Sequence, residues 1–273
     1  MFIIDREYSR ANDIHARYGG QRQGGISTPA NFPLVFLFTG AGGEQYGYKD
    51  GWVGSETFVF TGEGQVGDMT FRVGNRAIRD HARNEKQLML FESLGHGRPV
   101  RYRGMFTCSA WESFRGPDRN GDDRECIRFH LVKNQPSMEF IASGGNEPEV
   151  GGQDLAELRK RAYGALAPSR SSKPADAAQT YRQRSKAVRD YVLARANGVC
   201  ELSGEAGPFI TRRGAPYLEV HHTHLLADDG PDHPRWVAAI DPTLHREIHF
   251  GQNGPALNAL LMERLAEIEP AGE

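Results

Sequence analysis

The chain reads as an α+β protein in two parts: a β-rich first half that suggests a small twisted barrel, and a mainly helical second half built around a strand, a loop and a helix. Three observations predict this. Up to about residue 145, runs rich in β-branched and aromatic residues alternate with glycine-rich turns. Beyond it, long stretches without Pro or Gly carry apolar residues at helical spacing. The length of 273 residues suits two domains better than one, and 38% hydrophobic content is enough to fill packed cores.

In the first half the predicted strands cover 34–38, 56–61, 69–73, 100–106 and 126–132. Their short, regular spacing with turn residues between them argues for a barrel rather than parallel βαβ units. One helix interrupts them at 74–82 and carries Arg76, Arg79 and Arg83. The coil-forming stretch 143–152 ends this half, 154–163 reads as a short helix with Asp154 as its N-cap, and 167–174 is a second flexible stretch. The domain boundaries are therefore set at 1–145, a linker 146–175, and 176–273. Within the last, 176–196 reads as a helix with Tyr181, Val188, Tyr191, Val192 and Ala196 in approximate helical period, ended by Gly198. Residues 217–222 read as a strand and 245–249 as part of a helix. A closing amphipathic helix at 255–268 places Leu257, Leu260, Leu261, Leu265 and Ile268 on one face, packed within the chain.

The formal net charge of −2 says nothing in favour of nucleic acid, but its distribution does. From Arg159 to Arg195 ten Lys or Arg face two acids, Asp176 and Asp190, a local excess of +8 that suits phosphate contacts. Arg182, Arg184, Lys186 and Arg189 are its densest part. Cys108, Cys126 and Cys200 form no disulfide framework and suggest reduced thiols in a cytoplasm. No segment approaches membrane-spanning length and the N-terminus lacks the pattern of a secretory signal, so a soluble protein is expected.

Four of the ten histidines fall in two clusters, Glu219-Val-His-His-Thr and His245-Arg-Glu-Ile-His249. On a strand His221 and His222 point to opposite faces and must do different work. On a helix His245 and His249 share a face, a common way of gripping a metal. Together they resemble the ββα-metal core of HNH nucleases. The resemblance implies His221 and His245 as metal ligands, His249 as a further ligand, His222 as the general base, and one divalent ion, Mg²⁺ or Mn²⁺. The pattern is not fully kept. Where many such domains carry two cysteine pairs for a structural zinc, this chain has Cys200 with Ser203, and Asp241 with Leu244. No structural zinc is expected, with apolar packing around Leu202, Ile240 and Leu244 in its place. Trp236 stands where the middle Asn of the motif is usual.

A second resemblance lies upstream. The run from Gly40 through Tyr48, Asp50 and Trp52, then Phe58-Val-Phe-Thr-Gly-Glu-Gly, then Gly74-Asn-Arg-Ala, resembles in order the motifs of SRA (YDG) domains. These PUA-like barrels flip a modified cytosine into a pocket. The resemblance implies Tyr48 and Phe60 as a stacking sandwich, Asp50 as acceptor for the cytosine amino group, Thr61 on another polar edge, and Trp52 as pocket wall or inserted wedge. Arg76 and Arg79 would contact DNA.

A reader joined to a nuclease implies a modification-dependent restriction endonuclease acting on double-stranded DNA that carries 5-methylcytosine or 5-hydroxymethylcytosine. Cutting both strands with one site per chain requires two chains or two sequential nicks, and a homodimer is expected. The alternative is a non-catalytic modified-DNA reader with a degenerate nuclease domain.

Overall fold

The computed structural model describes residues 2–39, 50–95, 97–134, 154–171, 173–223 and 232–270. The chain forms two compact units that alternate along the sequence: Met1–Asn134 with Ala167–Arg182, and Gln135–Leu166 with Gln183–Glu273. The stretch read as a linker is thus shared out, its helix going to the second unit and residues from Ala167 to the first.

The first unit contains β1 (Glu7–Tyr8), a π-helical turn (Arg10–His15) running into α1 (Ala16–Tyr18), β2 (Ile26–Ser27), β3 (Leu34–Thr39), β4 (Gly51–Val53), β5 (Thr57–Thr61), α2 (Val73–Arg79), β6 (Gln87–Ser93), β7 (Val100–Pro117), β8 (Asp123–Lys133) and β9 (Ser169–Arg170). Its strands hydrogen-bond in the order β2-β3-β6-β7-β8-β5-β4, with β1 and β9 also on β7. Among the described residues no pair joins β2 to β4, which corrects the expected barrel to an open sheet.

A second correction is the parallel pairing of β3 with β6, from Leu34 opposite Gln87 to Thr39 opposite Glu92. All six residues of β3 are buried, as a strand covered on both faces requires, and its unbroken apolar run is the signature of that environment. Val35 and Leu37 enter one core with Phe58, Phe60, Leu88 and Phe129. Phe36 and Phe38 enter an aromatic cluster with Phe91, to which Phe2 and Tyr18 also pack.

The expected strand at 69–73 does not form. Asn75, 1% exposed, donates its amide to the carbonyls of Glu63 (2.8 Å) and Thr70 (3.0 Å) and accepts from Glu63 N (2.8 Å), which turns the chain into α2 instead. By contrast the run beginning at Val100 extends far past Phe106, and β7 is bulged between Cys108 and Ala110 where it pairs with β8.

In the second unit α3 (Leu155–Gly164) is capped by the Asp154 carboxylate, which accepts from Ala156 N at 3.0 Å, as the sequence predicts. The long helix α4 (Ala175–Ala196) ends at Asn197 and Gly198, both at positive φ. Strands β10 (Glu219–His222) and β11 (Val237–Ile240) pair antiparallel, followed by α5 (Pro242–Phe250) and α6 (Gly254–Ile268). The core gathers Val188, Tyr191 and Val192 from α4, all of β11, and Leu261 and Leu265. Leu257 packs against that core, whereas Leu260 and Ile268 are 43% and 41% exposed, so the apolar face of α6 is narrower than expected.

Where paired cysteines would sit, the Cys200 sulfur accepts the backbone N–H groups of Ser203 (3.4 Å) and Asp241 (3.3 Å). Leu202 and Ile240 are buried beside it and Leu244 packs on the same cluster. Nearby, Arg195 forms a two-pronged pair with Glu201 (2.7 and 2.9 Å) and reaches Glu269 at 3.3 Å. Glu269 also accepts from Tyr163 (2.8 Å), Arg159 (3.0 Å) and Tyr191, tying the chain's end to α3 and α4.

Candidate functional site

The register of β10 with β11 sets His221 opposite Ala238 and His222 opposite Val237. Alternation along the strand then turns His221 inward, 2% exposed, and leaves His222 on the other face with 17% of its side chain exposed. Helix α5 starts where it does because Asp241 caps it, accepting from Thr243 N (2.6 Å) and Leu244 N (3.3 Å), with Pro242 in the first turn. That start places His245 and His249 one turn apart against His221. The three rings lie 5.0, 5.1 and 4.9 Å apart between centroids, and one nitrogen from each falls within 4.8 Å of the others.

Two supporting hydrogen bonds decide which nitrogens face the cluster. His245 Nδ1–H donates to Glu219 Oε2 at 2.7 Å, so its lone pair is on Nε2. His221 Nε2–H donates to Asn258 Oδ1 at 3.0 Å, so its lone pair is on Nδ1. Asn258 is oriented in turn by donating its amide to Thr223 O at 2.8 Å, which fixes its oxygen toward the histidine. Among the described residues, His221 Nδ1 and His245 Nε2 are buried without a hydrogen-bond partner. Buried polar atoms of that kind call for a ligand, and two neutral imidazole lone pairs converging with His249 fit a divalent cation.

Burial holds the His221 ring at a pKa of about 3, and burial likewise lowers His245, with the Glu219 hydrogen bond opposing it. Both rings therefore stay neutral at physiological pH, the form that binds metal. Three imidazoles favour a transition ion over Mg²⁺, which prefers oxygen ligands and keeps its waters.

On the other face His222 Nε2–H donates to Asp232 Oδ1 at 2.8 Å, and the second oxygen of Asp232 accepts the Ser185 hydroxyl from α4. Trp236, at the position expected to brace this loop, contributes its carbonyl to Thr223 N at 2.8 Å. Sequence reasoning missed Glu219, Asn258, Asp232 and Ser185. Two of them carried a signal: Glu219 shares a strand face with His221, and Asn258 is a polar residue beside the apolar stripe of α6.

In the first unit Asp50 and Thr61 come together. Asp50 accepts from Thr61 N (2.7 Å) and from the Thr39 hydroxyl (2.9 Å), a partner the sequence did not single out. Burial pushes the Asp50 carboxyl upward despite those bonds. Phe60 is 2% exposed and packs in the core with Phe58 and Phe129. Trp52 packs edge-on against Phe58 (5.4 Å) and lies 5.8 Å from Phe106, at the rim of the core. Tyr48 lies outside the described residues.

Of the expected DNA contacts, Arg76 is exposed, while Arg79 pairs with Asp80 at 2.7 Å and lies over Phe71. Arg182 pairs with Glu56, Arg189 with Asp190 at 3.6 Å, and Lys186 also with Asp190. Arg184 is half-buried. Exposed pairs of this kind contribute little, so a phosphate could exchange with the carboxylates.

Residues 4–139 match the family described as ScoMcrA-like, SRA domain. The chain is 32% identical over 115 residues to the type IV methyl-directed restriction enzyme EcoKMcrA of Escherichia coli (strain K12), a match covering 42% of each protein. Among solved structures, the type IV phosphorothioation-dependent restriction endonuclease ScoMcrA is similar at 20% identity with a TM-score of 0.41, covering 98% of this chain and 63% of that one. The SRA domain of SUVH5 in complex with hemi-methylated CG DNA is similar at 15% identity, TM-score 0.37, over 49% of this chain and 88% of that one. The chain thus spans less than two thirds of the length of EcoKMcrA or ScoMcrA. Among the described residues no helix is long and apolar enough to cross a membrane.

Proposed function

We propose, from the premise that residues 4–139 are an SRA domain of the ScoMcrA-like kind, that the chain is a modification-dependent DNA endonuclease of the type IV class. The first unit reads modified cytosine in double-stranded DNA, and the second hydrolyses a nearby phosphodiester with an HNH-type site. The observation that carries the nuclease reading is the pair of environments at adjacent residues. His221 joins a buried triad with His245 and His249, while His222 faces the opposite side, oriented by Asp232.

The cation held by His221, His245 and His249 would supply charge stabilisation at the phosphate and its leaving oxygen. Everything else falls to the chain's own residues. With Nε2–H committed to Asp232, His222 offers Nδ1 as the base. Nδ1 takes a proton from water, the water oxygen bonds to phosphorus, and the bond from phosphorus to the leaving deoxyribose oxygen breaks. That oxygen takes a proton from solvent. Burial keeps His221 and His245 from competing for the water's proton, because both are poor bases.

In the reader, Asp50 with Thr39 and Thr61 forms the polar group that a flipped base could meet. The name of the methyl-directed relative supports cytosine methylation as the first mark to test. Among the described residues each chain holds one triad, so cutting both strands calls for two chains or two sequential nicks, and a homodimer on DNA is part of the reading.

The test is digestion of one duplex sequence carrying cytosine, 5-methylcytosine or 5-hydroxymethylcytosine, with Mn²⁺, Co²⁺ or Mg²⁺ and with chelator. Metal-dependent cutting of a modified duplex, slowed about 100-fold or more but still measurable in His222→Ala with binding retained, is expected. Tight binding of the modified duplex with no cutting under any metal would instead make the chain a reader alone.

A further inference from the structure

We propose that Asp232 is the positioning residue for His222, and that Ser185 holds Asp232 in place. The inference rests on the reading of His222 as general base and adds the groups that make it one. His222 and Asp232 are joined at 2.8 Å with side chains 17% and 15% exposed, so the contact is sheltered from solvent. The carboxylate is held from both ends. Oδ1 takes the imidazole N–H and Oδ2 takes the Ser185 hydroxyl from helix α4. The Ser185 bond ties this carboxylate to α4, which sets the ring plane of His222 from the helix. Trp236 gives Thr223 only its main-chain carbonyl, through Thr223 N at 2.8 Å and its hydroxyl at 3.2 Å. Among the described residues a side chain that restrains the base comes from residue 232, four positions earlier.

The chemistry follows from the donor and acceptor roles. An ionised carboxylate only accepts, so Nε2 keeps its proton and Nδ1 keeps its lone pair throughout. When Nδ1 takes the proton from water, the imidazolium so formed still donates Nε2–H to Asp232, whose negative charge offsets the new positive one. Asp232 itself gains no proton. The proton on Nδ1 is later released to solvent, returning the ring to its starting form.

The experiment measures cleavage of a modified duplex by the full chain under saturating transition metal, as separate kcat and KM. Asp232→Ala is expected to lower kcat by about 10- to 100-fold, part of the 10²–10⁴ that a general base supplies, with KM nearly unchanged. Asp232→Asn is isosteric, retains an acceptor oxygen and should fall between wild type and Asp232→Ala, guarding against an effect of misfolding. Ser185→Ala should lower kcat by a smaller factor. The decisive arm is the double variant: in a His222→Ala background, Asp232→Ala should change nothing further, because it acts through that ring. A further loss of the same size there would make Asp232 a merely structural residue and overturn the inference. So would wild-type kcat in Asp232→Ala while His222→Ala is slowed about 100-fold or more. If the wild-type chain cuts no duplex under any metal, the functional reading falls first and this inference with it.

Discussion

Glu219 offers a direct test of the metal centre. Its Oε2 accepts from His245 Nδ1–H at 2.7 Å with both side chains almost wholly buried, at 6% and 1% exposure, while Oε1 accepts from the Tyr217 hydroxyl at 3.1 Å. Removing the carboxylate frees the ring to rotate and to shift its proton, so Nε2 no longer presents its lone pair in one fixed direction. Loss of an outer partner of this kind costs about 10- to 100-fold in metal affinity, or about 1.4–2.7 kcal/mol. Glu219→Gln keeps volume and an acceptor oxygen but loses the charge that roughly doubles such a bond, so about 10-fold is expected for it. Glu219→Ala should approach 100-fold. The assay is competitive titration of Mn²⁺ or Co²⁺ on the full chain, with circular dichroism confirming the fold. Unchanged affinity in a folded Glu219→Ala chain would refute the reasoning, and so would the same loss in a His245→Ala background, where the supported ligand is already gone.

Glu269→Ala strands the hydroxyls of Tyr163 and Tyr191 and one edge of Arg195 in the interior, although Arg195 keeps Glu201. A loss of about 3 kcal/mol is expected, read as a fall in the urea midpoint; under 1 kcal/mol would show that the network relaxes. The pH dependence has a definite sign. His221 has a folded pKa of about 3 against an ordinary 6.5, so the metal-free chain should be most stable above pH 6.5 and should lose this contribution as pH falls from there toward 3. A metal-loaded chain should release its ion over the same interval, and a urea midpoint of the metal-free chain that is independent of pH there would contradict the reasoning. Asp50→Ala should weaken binding of a modified duplex about 10-fold or more in a gel-shift titration, leaving unmodified duplex nearly unchanged. Gly198→Ala introduces a Cβ within 2.7 Å of Pro216 Cγ at a φ of +79°, and should destabilise by about 1–3 kcal/mol in the same urea assay.

What could be read in the sequence, and what could not, divides along the range of the interactions. Asp154, Gly198 and the His245/His249 spacing announce a cap, a stop and a shared face because each is a local event. The parallel partner of β3 lies about fifty residues away and leaves no local mark except the continuous apolar run, which the open sheet explains only afterwards. Phe60 shows the limit in the other direction. Its motif position suggests a base pocket, yet an aromatic on a strand buried at all five positions is packing by default. At the histidine site the three rings that come together were legible as residue types in a pattern. Their supports were not, since Asn258 and Ser185 reach the site from helices 37 and 47 residues away from the histidine or carboxylate each one holds.

The alternation of the two units along the chain bears on how the protein can be taken apart. Strand β9 pairs in parallel with β7 at Ala110 and Trp111, so the segment Ala167–Arg182 belongs to the first unit although it follows α3 in sequence. A reader fragment stopped at residue 145 would leave that edge of β7 bare, an invitation to aggregation. A nuclease fragment begun at residue 176 would lack α3, and with it the Arg159 and Tyr163 groups that hold Glu269. No single cut frees both units intact. Separating binding from cutting is therefore a task for point substitutions such as Asp50→Ala and His222→Ala, and a single cleavage between 143 and 152 should leave the two pieces associated through the pairing of β9 with β7.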